Sequence, residues 1–352
     1  MEFERRESPY GRPPTDVGAT MRQVLYALVP AALAYVWYFG TGFILNLFFA
    51  ALFCVAGEAF MRRVRGKPVE EALLDFSALV TAALLTFSLP PLTPWWVTAT
   101  AALFAIVVAK HLYGGLGYNV FNPAMAGYVA ALVAFPAYMA FWPAPRIGDI
   151  DYHYMTFYET ARYAFTGSLP DYLTIDAITR ATPLDALKSG FENMQTFREI
   201  HNNPLMGDFG GRGWEWIGNF LAIGGGWLLL RKVIRWHIPA GVLAGVLLPS
   251  GFMYVFGSGL HASPGFHLFS GGTILCAFFI ATDPITAATS PRGRLLYGFG
   301  IGLLIYAIRR WGSYADGVAF AVLLMNMAVP AIDHLTRPRI IGHSKREKDE
   351  AR

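Results

Sequence analysis

Residues 171–190, DYLTIDAITRATPLDALKSG, form the centre of the one long polar segment in an otherwise apolar chain. About half of the hydrophobic stretches precede this segment and half follow it. Within it, Thr182 has the features of a helix N-cap, because Pro183 follows at the favoured first helical position and Asp185 stands at the third. Gly190 is typical of a helix end. The stretch therefore predicts a short helix, from Thr182 to Gly190, that separates two apolar halves.

The composition is that of a membrane protein. The chain has 352 residues, of which 55% are hydrophobic and 15% are charged, whereas soluble chains carry about 25% charged residues. Its mean hydropathy is +0.40. The formal net charge is +4, but the cations stand in short runs between apolar stretches. That pattern indicates membrane orientation and not nucleic-acid binding.

Ten apolar stretches are long enough to cross a bilayer. They span residues 22–40, 43–61, 72–90, 95–113, 121–142, 214–233, 238–257, 266–282, 294–309 and 316–335. The first resembles a signal peptide with a small-residue site at 32–34, but its apolar run continues to Phe39, so we interpret it as an uncleaved helix. The predicted fold class is an all-α, polytopic integral membrane protein with about ten transmembrane helices.

The distribution of Lys and Arg predicts the orientation of these helices. Ten crossings place both termini on one side, and 20 of the 28 Lys and Arg residues fall on that side. The other eight are six residues in the segment 146–212 and the pair Arg309 and Arg310. By the positive-inside rule, both termini are predicted to be cytoplasmic and 146–212 to be extracytoplasmic.

Five predicted helices on each side of the polar segment indicate two inverted five-helix repeats. Weak internal similarity supports this interpretation: TFSLPP at 86–91 and IATDP at 280–284 close the third and eighth helices, and GLGYN at 115–119 and GSYAD at 312–316 open the fifth and tenth. The predicted division is a cytoplasmic arm 1–21, a first repeat 22–145, the extracytoplasmic segment 146–212, a second repeat 213–336 and a basic cytoplasmic tail 337–352.

The residues around Thr182 resemble the motif at which bacterial FMN transferases attach a flavin, Asp-x-x-Ser/Thr-Gly-Ala-Thr. Asp176, Thr179, Ala181 and Thr182 match it, and Arg180 stands where glycine is usual. In proteins with this motif, FMN is joined through its phosphate to the last threonine. The resemblance therefore implies a covalent FMN on Thr182, with Asp176 and Thr179 serving recognition by the transferase. The alternative is that Thr182 is only a helix cap. A helix N-terminus suits a phosphate as well, because of its free N–H groups and dipole.

The wider chain resembles the NqrB/RnfD family, which contains the D subunit of the Rnf electron-transport complex and the B subunit of the sodium-pumping NADH:quinone reductase. The resemblance covers most of residues 20–340 and is carried by GYNVFNPA at 117–124, ATPL at 181–184, SGG at 270–272 and FFIATDP at 278–284. It implies a bacterial inner-membrane flavoprotein in which ferredoxin–NAD electron transfer is coupled to Na⁺ or H⁺ transport. It also allows a second, non-covalent flavin (riboflavin) within the helices.

Polar and small residues in the predicted helices are candidates for the second flavin or the ion. Backbone freed at Asp283 by the following proline could bind an ion or a flavin edge, although end capping is an alternative. Gly271 and Gly272 could admit a flat ring, and close helix packing explains them equally well. Asn119 adds hydrogen-bonding groups beside a glycine-rich turn. Other ionisable residues near predicted helix ends are Asp75, Lys110, Asp316 and Asp333, with Glu58 deeper.

Several chemistries are not expected in this chain. The two cysteines, Cys54 and Cys276, lie in apolar runs without a CxxC pair, which argues against a disulfide framework or a thiolate metal site. The histidines at 153, 201, 261 and 267 show no helical pairing, so we predict no metal site. No GxGxxG or P-loop occurs, so NAD would be handled by another chain.

The sequence thus favours an electron-carrying membrane subunit with no catalytic site for NAD of its own. Its expected partners are the other Rnf subunits, which include peripheral flavin and iron–sulfur subunits, the FMN transferase and membrane lipid, with no nucleic acid. The alternative is a solute channel or transporter with the fold of urea and ammonium transporters and no redox role. Helix count and inverted repeats suit both interpretations.

Overall fold

The computed structural model describes residues 17–147 and 153–337. Most of the predicted arm, nearly all of the predicted basic tail and residues 148–152 lie outside the described residues. The described part is helical, and its extended pairings are limited to the isolated bridges Pro143–Thr179 and Met206–Gly211.

The helices before the middle segment follow the apolar stretches closely. They are α1 (Val17–Phe39), α2 (Gly42–Val64), α3 (Val69–Leu74), α4 (Ser77–Ser88), α5 (Trp95–Leu103), which continues as a π-helix (Phe104–His111), α6 (Pro123–Ala134) and α7 (Pro136–Met139). Two of the predicted spans are not single helices. The third breaks at Asp75 and Phe76, and the fifth breaks at Phe135, where the ring of Pro136 excludes a continuous helical hydrogen-bond ladder.

The middle segment contains four short helices, α8 (Phe157–Thr166), α9 (Ile175–Ile178), α10 (Pro183–Glu192) and α11 (Phe197–His201). Its second part has a small core of its own, in which Leu184, Leu187 and Ile200 pack against Phe266. Because Phe266 belongs to the second apolar half, this core fixes α10 and α11 onto the helical bundle.

The second half contains α12 (Trp214–Leu230), α13 (His237–Phe256), α14 (Pro264–Phe269), α15 (Thr273–Leu275) continued by a π-helix (Cys276–Ile280), α16 (Pro291–Trp311) and α17 (Val318–Leu335). The eighth predicted span is therefore also broken, at residues 270–272. Gly271 has a φ of +65° there, a left-handed conformation that glycine adopts without steric cost.

Four described helices, α1, α2, α13 and α17, are long and apolar enough to cross a membrane by themselves, and α4, α5 with its π-helix, and α6 are shorter apolar helices. The chain is thus a multi-pass helical membrane protein, while the number ten stays a prediction. The interruptions explain the shorter helices α4 and α6, because a broken span divides its length between two elements.

Glycines allow a close helix crossing between α13 and α16. On α13 and α16, a Cβ atom at Gly245 or at Gly302 would lie against a backbone carbonyl oxygen of the facing helix, so only glycine permits this approach. Elsewhere α1 packs against α12, and α6 against α17. These are the first and the fifth predicted helices of each half, a pairing that suits two inverted repeats; the duplication itself stays a prediction.

Candidate functional site

Thr182 caps α10, as its sequence context predicts. The backbone at Thr182 is extended, and its Oγ1 accepts a hydrogen bond of 3.2 Å from the Asp185 N–H. The same hydroxyl donates to Asp185 Oδ2 at 2.5 Å. Thr182 is half-buried. The helix does not end at Gly190 as predicted, however, but continues to Glu192, because Gly190 packs against Ile200 inside the small core.

The rest of the motif is held by backbone pairing to the end of the first half. Thr179 bridges to Pro143, and the Arg180 N–H donates to the Trp142 carbonyl at 2.8 Å. The Arg180 side chain folds back onto the motif and donates to the carbonyls of Asp176 and Thr179 at 2.7 and 2.8 Å. Arginine at the usual glycine position therefore braces the local backbone.

Thr182 stands at a cavity of about 840 Å³, which we call the large cavity. Six predicted site residues line it, namely Asp176, Thr179, Ala181, Thr182, Gly271 and Gly272. The structure thus joins the attachment motif to the paired glycines from the broken eighth span. Small-molecule sites have volumes of about 300–1,000 Å³, so the large cavity has the size of a ligand site.

One wall of the large cavity is aromatic. The Trp214 ring lies 4.9 Å from the Trp142 ring and 6.3 Å from the Tyr35 ring, measured between centroids. Phe87 packs edge-on against Tyr35 at 5.7 Å. All four side chains line the cavity. Their sequence signal was only a general enrichment in aromatics, so sequence reasoning missed them as site residues.

Another part of the lining is formed at the break in the eighth span. The Gly272 N–H donates to Asp316 Oδ2 at 2.8 Å, and Asp316 Oδ1 accepts from Arg309 Nη2 at 3.0 Å. A Cβ atom at Gly271 would meet Asp316, Leu184 and Arg309 side-chain atoms at 2.5–2.9 Å. Glycine is therefore required here by space as well as by φ.

Asn119 and Asp283, the other two predicted site residues, line a different cavity of about 150 Å³, the small cavity. Lys110, Ser77 and Asn122 line it too. Asn119 Oδ1 is buried without a hydrogen-bond partner. Asp283 stabilises the turn that follows the π-helix, because its carboxylate accepts from the Ile285 N–H at 3.2 Å and from Thr286 Oγ1 at 3.0 Å. The predicted residues thus form two sites and not one.

The two cavities are neighbours, because residues of their linings contact each other. Asn122 lines the small cavity and Ile280 lines the large one, and Asn122 Nδ2 donates to the Ile280 carbonyl at 3.3 Å. Met125, one turn along α6, lines the large cavity, and its N–H donates to Asn122 Oδ1 at 3.2 Å. The N-terminus of α6 and the π-helix at 276–280 therefore contact each other between the cavities.

A buried ionic cluster adjoins the small cavity. Lys110 Nζ lies 2.6 Å from Glu58 Oε2, and His111 Nε2 lies 3.0 Å from Glu58 Oε1. All three side chains are at most 2% exposed. Glu58 and Lys110 were singled out separately from the sequence, but their pairing across two helices was not.

The structure defines a helical membrane protein with two neighbouring cavities, one of them lined by Thr182. The model of the NQR2, RnfD, RnfE family matches residues 4–342, and the chain belongs to that family. The chain is similar to three proteins that are each named as the D subunit of an ion-translocating oxidoreductase complex. The one from Shewanella denitrificans is 46% identical over 97% of this chain and 99% of the relative. The one from Pseudomonas aeruginosa is 48% identical over 99% and 98%, and the one from Aliivibrio salmonicida is 44% identical over 98% and 100%.

Proposed function

We propose that this chain is the D subunit of an ion-translocating oxidoreductase complex, in which it carries electrons through the membrane. The observation that carries the proposal is the position of Thr182, which lines the cavity of about 840 Å³. The names of the full-length relatives support the complex and the ion translocation. The alternative of a solute channel finds no support in these comparisons.

FMN attached through its phosphate to Thr182 suits the residues present. The N-terminus of α10 offers N–H groups and the positive end of a helix dipole to the phosphate. The large cavity has room for a ring system, and its aromatic wall of Tyr35, Phe87, Trp142 and Trp214 would exclude water from it. Bound FMN would supply one-electron transfer, and these side chains would fix its position. An FMN transferase acting on the extracytoplasmic side would attach it.

A second flavin, riboflavin, would use the small cavity. The unpartnered Asn119 Oδ1 is an acceptor for a flavin N–H group, and Lys110 and Asp283 are on the same lining. At about 150 Å³ the cavity is smaller than the roughly 300 Å³ of most ligand sites. Riboflavin would therefore enter only when the surrounding helices separate. The two carriers would then lie close together, because α6 and the π-helix at 276–280 contact each other between the cavities.

The coupled ion would be Na⁺ or H⁺, in keeping with the ion-translocating relatives. Asp283 is the candidate residue of this chain for the ion or a flavin edge, because its carboxylate lines the small cavity. Both of its oxygens already accept hydrogen bonds. Ligand binding at Asp283 would therefore replace one of the hydrogen bonds that hold this turn.

The attachment is tested by exchanging Thr182 for residues that preserve the cap. Asparagine can accept from the Asp185 N–H and donate to the Asp185 carboxylate, but it has no hydroxyl to esterify. Thr182→Asn should keep the fold and lose the flavin fluorescence of the denatured chain on a gel. Thr182→Ser, which keeps a hydroxyl, should retain the band, at a reduced level.

Thr196 provides the matched control. It caps α11 with the same side-chain bond to the residue three positions on, Glu199, so Thr196→Asn should leave the fluorescent band unchanged. A flavin-bearing peptide found by mass spectrometry at residue 182 of Thr182→Asn, or no flavin on the wild-type chain made together with the transferase, contradicts the attachment.

A further inference from the structure

Two breaks in the helices have similar sequences and backbone conformations. The first lies between α3 and α4, where Phe76 has a φ of +59° and Ser77 begins α4. The second lies between α14 and α15, where Ser270 precedes Gly271 at φ +65°. A Phe-Ser pair stands at each break, at 76–77 and at 269–270. The breaks fall in the third predicted helix of each half.

A broken helix inside a membrane protein exposes backbone oxygens that must find partners. Such oxygens commonly bind cations. At the second break the partner is Arg309, from the last turn of α16. Its Nη1 donates to the His267 carbonyl at 2.6 Å, and its Nη2 donates to the Ser270 carbonyl at 3.1 Å. Asp316 Oδ1 completes the cage at 3.0 Å from Nη2. The Arg309 side chain is 2% exposed.

A buried cation, Lys110, also lies at the first break, where it contacts side-chain oxygens. Its Nζ donates to Ser77 Oγ at 2.8 Å and to Glu58 Oε2 at 2.6 Å. Lys110 lies near the end of the π-helix that follows α5, so both cations come from the C-terminal end of the fourth predicted helix of their half. The π-helical winding adds a residue to the turn, a feature common at functional positions.

The second break has the ligand set of a cation site: two backbone carbonyls and one carboxylate. Oxygen ligands of this kind suit hard cations such as Na⁺. A charge this deeply buried is tolerated only when it is paired and hydrogen-bonded, and Arg309 fulfils both conditions. We infer that the break at 267–272 is a monovalent-cation site that the chain occupies with its own Arg309 guanidinium.

The inference predicts that removal of the guanidinium opens the second break to a free cation. The full-length chain, purified in detergent, would be melted by following its tryptophan fluorescence in choline chloride, in NaCl and in methylguanidinium chloride at equal ionic strength. We expect Arg309→Ala to melt below the wild type in choline. Millimolar methylguanidinium should raise its melting temperature towards that of the wild type, with saturation, and Na⁺ should do so to a smaller extent.

Arg310 supplies the matched control. It is the adjacent residue, it is exposed, and its guanidinium lies over the Phe191 ring at 5.8 Å from the centroid. Arg310→Ala and the wild type should show no saturable response to methylguanidinium. If Arg309→Ala responds no more than Arg310→Ala does, the cation site is refuted.

A second variant covers the case in which Arg309→Ala is not recovered folded. Arg309→Ala combined with Asp316→Asn removes both charges together, which proteins tolerate better than the loss of one partner. The Asn oxygen can still accept from the Gly272 N–H. This double variant should fold and should not respond to methylguanidinium, because the carboxylate of the cage is absent. Any saturable response of the double variant to methylguanidinium contradicts the proposed cage.

Discussion

The buried pair of Glu58 and Lys110 allows a prediction with a magnitude. The change is Lys110→Met, which preserves the length of the side chain and removes its ammonium. Lys110 Nζ lies 2.6 Å from Glu58 Oε2, and both side chains are 2% exposed. At an effective dielectric constant of about 20, Coulomb's law gives roughly 6 kcal/mol of attraction at that separation. Desolvation offsets part of it, and the removal of one buried partner typically costs about 3–5 kcal/mol.

We therefore expect Lys110→Met to lower the free energy of unfolding by about 3–5 kcal/mol. The double variant Glu58→Gln with Lys110→Met should cost much less, because no uncompensated charge remains. Denaturant unfolding of the purified chain in detergent, arranged as a double-mutant cycle, measures the coupling. As a control, Lys188→Met removes a half-exposed lysine that donates to the Gly312 carbonyl at 2.9 Å, and its loss should be smaller. Additive effects of the two substitutions, within about 0.5 kcal/mol, would refute the buried pair.

The other predictions concern packing, pH and topology. Gly302→Ala should destabilise the chain by about 1–3 kcal/mol because its Cβ would overlap the facing backbone, whereas Gly226→Ala, with open space around the site, should not; thermal melting compares the two. The hydrogen bond from the Tyr172 hydroxyl, aided by Thr156, lowers the pKa of Glu159 from 4.5 to about 2, so its stabilising contribution is complete above pH 4.5 and lost as the pH falls through 2. The melting difference between wild type and Glu159→Gln should accordingly shrink over that range, and a constant difference would contradict it. A cysteine at exposed position Ser168, in a variant without native cysteines, should react with an impermeant thiol reagent in intact cells if the segment is extracytoplasmic; protection there would reverse the orientation.

The apolar stretches were good predictors of the continuous helices. The predicted spans 214–233 and 238–257 correspond to α12 at Trp214–Leu230 and α13 at His237–Phe256. A run of apolar residues of bilayer length is a strong local signal, because almost every side chain in it reports the same environment. The N-cap at Thr182 was predictable for a similar reason, since a cap depends on residues within one turn.

The breaks were harder to predict because their partners are distant in the sequence. Ser77 contacts Lys110, and Ser270 contacts Arg309. Because hydropathy is averaged over a whole apolar stretch, it predicts one continuous transmembrane span where the structure has a break. The Phe-Ser pairs at 76–77 and 269–270 were the sequence feature that could have predicted the breaks. An alignment of the two halves on these pairs is needed to recognise them.

The dependence on contacts between distant parts of the sequence also explains why the predicted site residues line two different cavities. Gly271 joins Thr182 at the large cavity, and Asp283, only twelve residues further on, lies at the small one. The intervening π-helix, Cys276–Ile280, carries the chain from one cavity to the other. The sequence alone does not predict this separation, because the packing of the whole helical bundle determines which cavity a residue lines.

Lys110 and Arg309 were counted from the sequence as cations on opposite sides of the membrane, and the structure buries both. Their removal takes one residue from each side of the count, so the predicted orientation is unaffected. Their burial does change the interpretation of the two residues, from surface cations that orient the helices to partners in buried ion pairs. Each belongs to an ion pair beside a cavity, and the pairs face their cavities with opposite ends: Asp316 lines the large cavity, whereas Lys110 lines the small one. In a medium of low dielectric constant such charges are weakly screened. Asp176, Arg180 and Asp185 also line the large cavity, and Asp283 lines the small one beside Lys110. Because Lys110 is paired with Glu58 and Arg309 with Asp316, each pair acts on its cavity as a local dipole and not as a net charge.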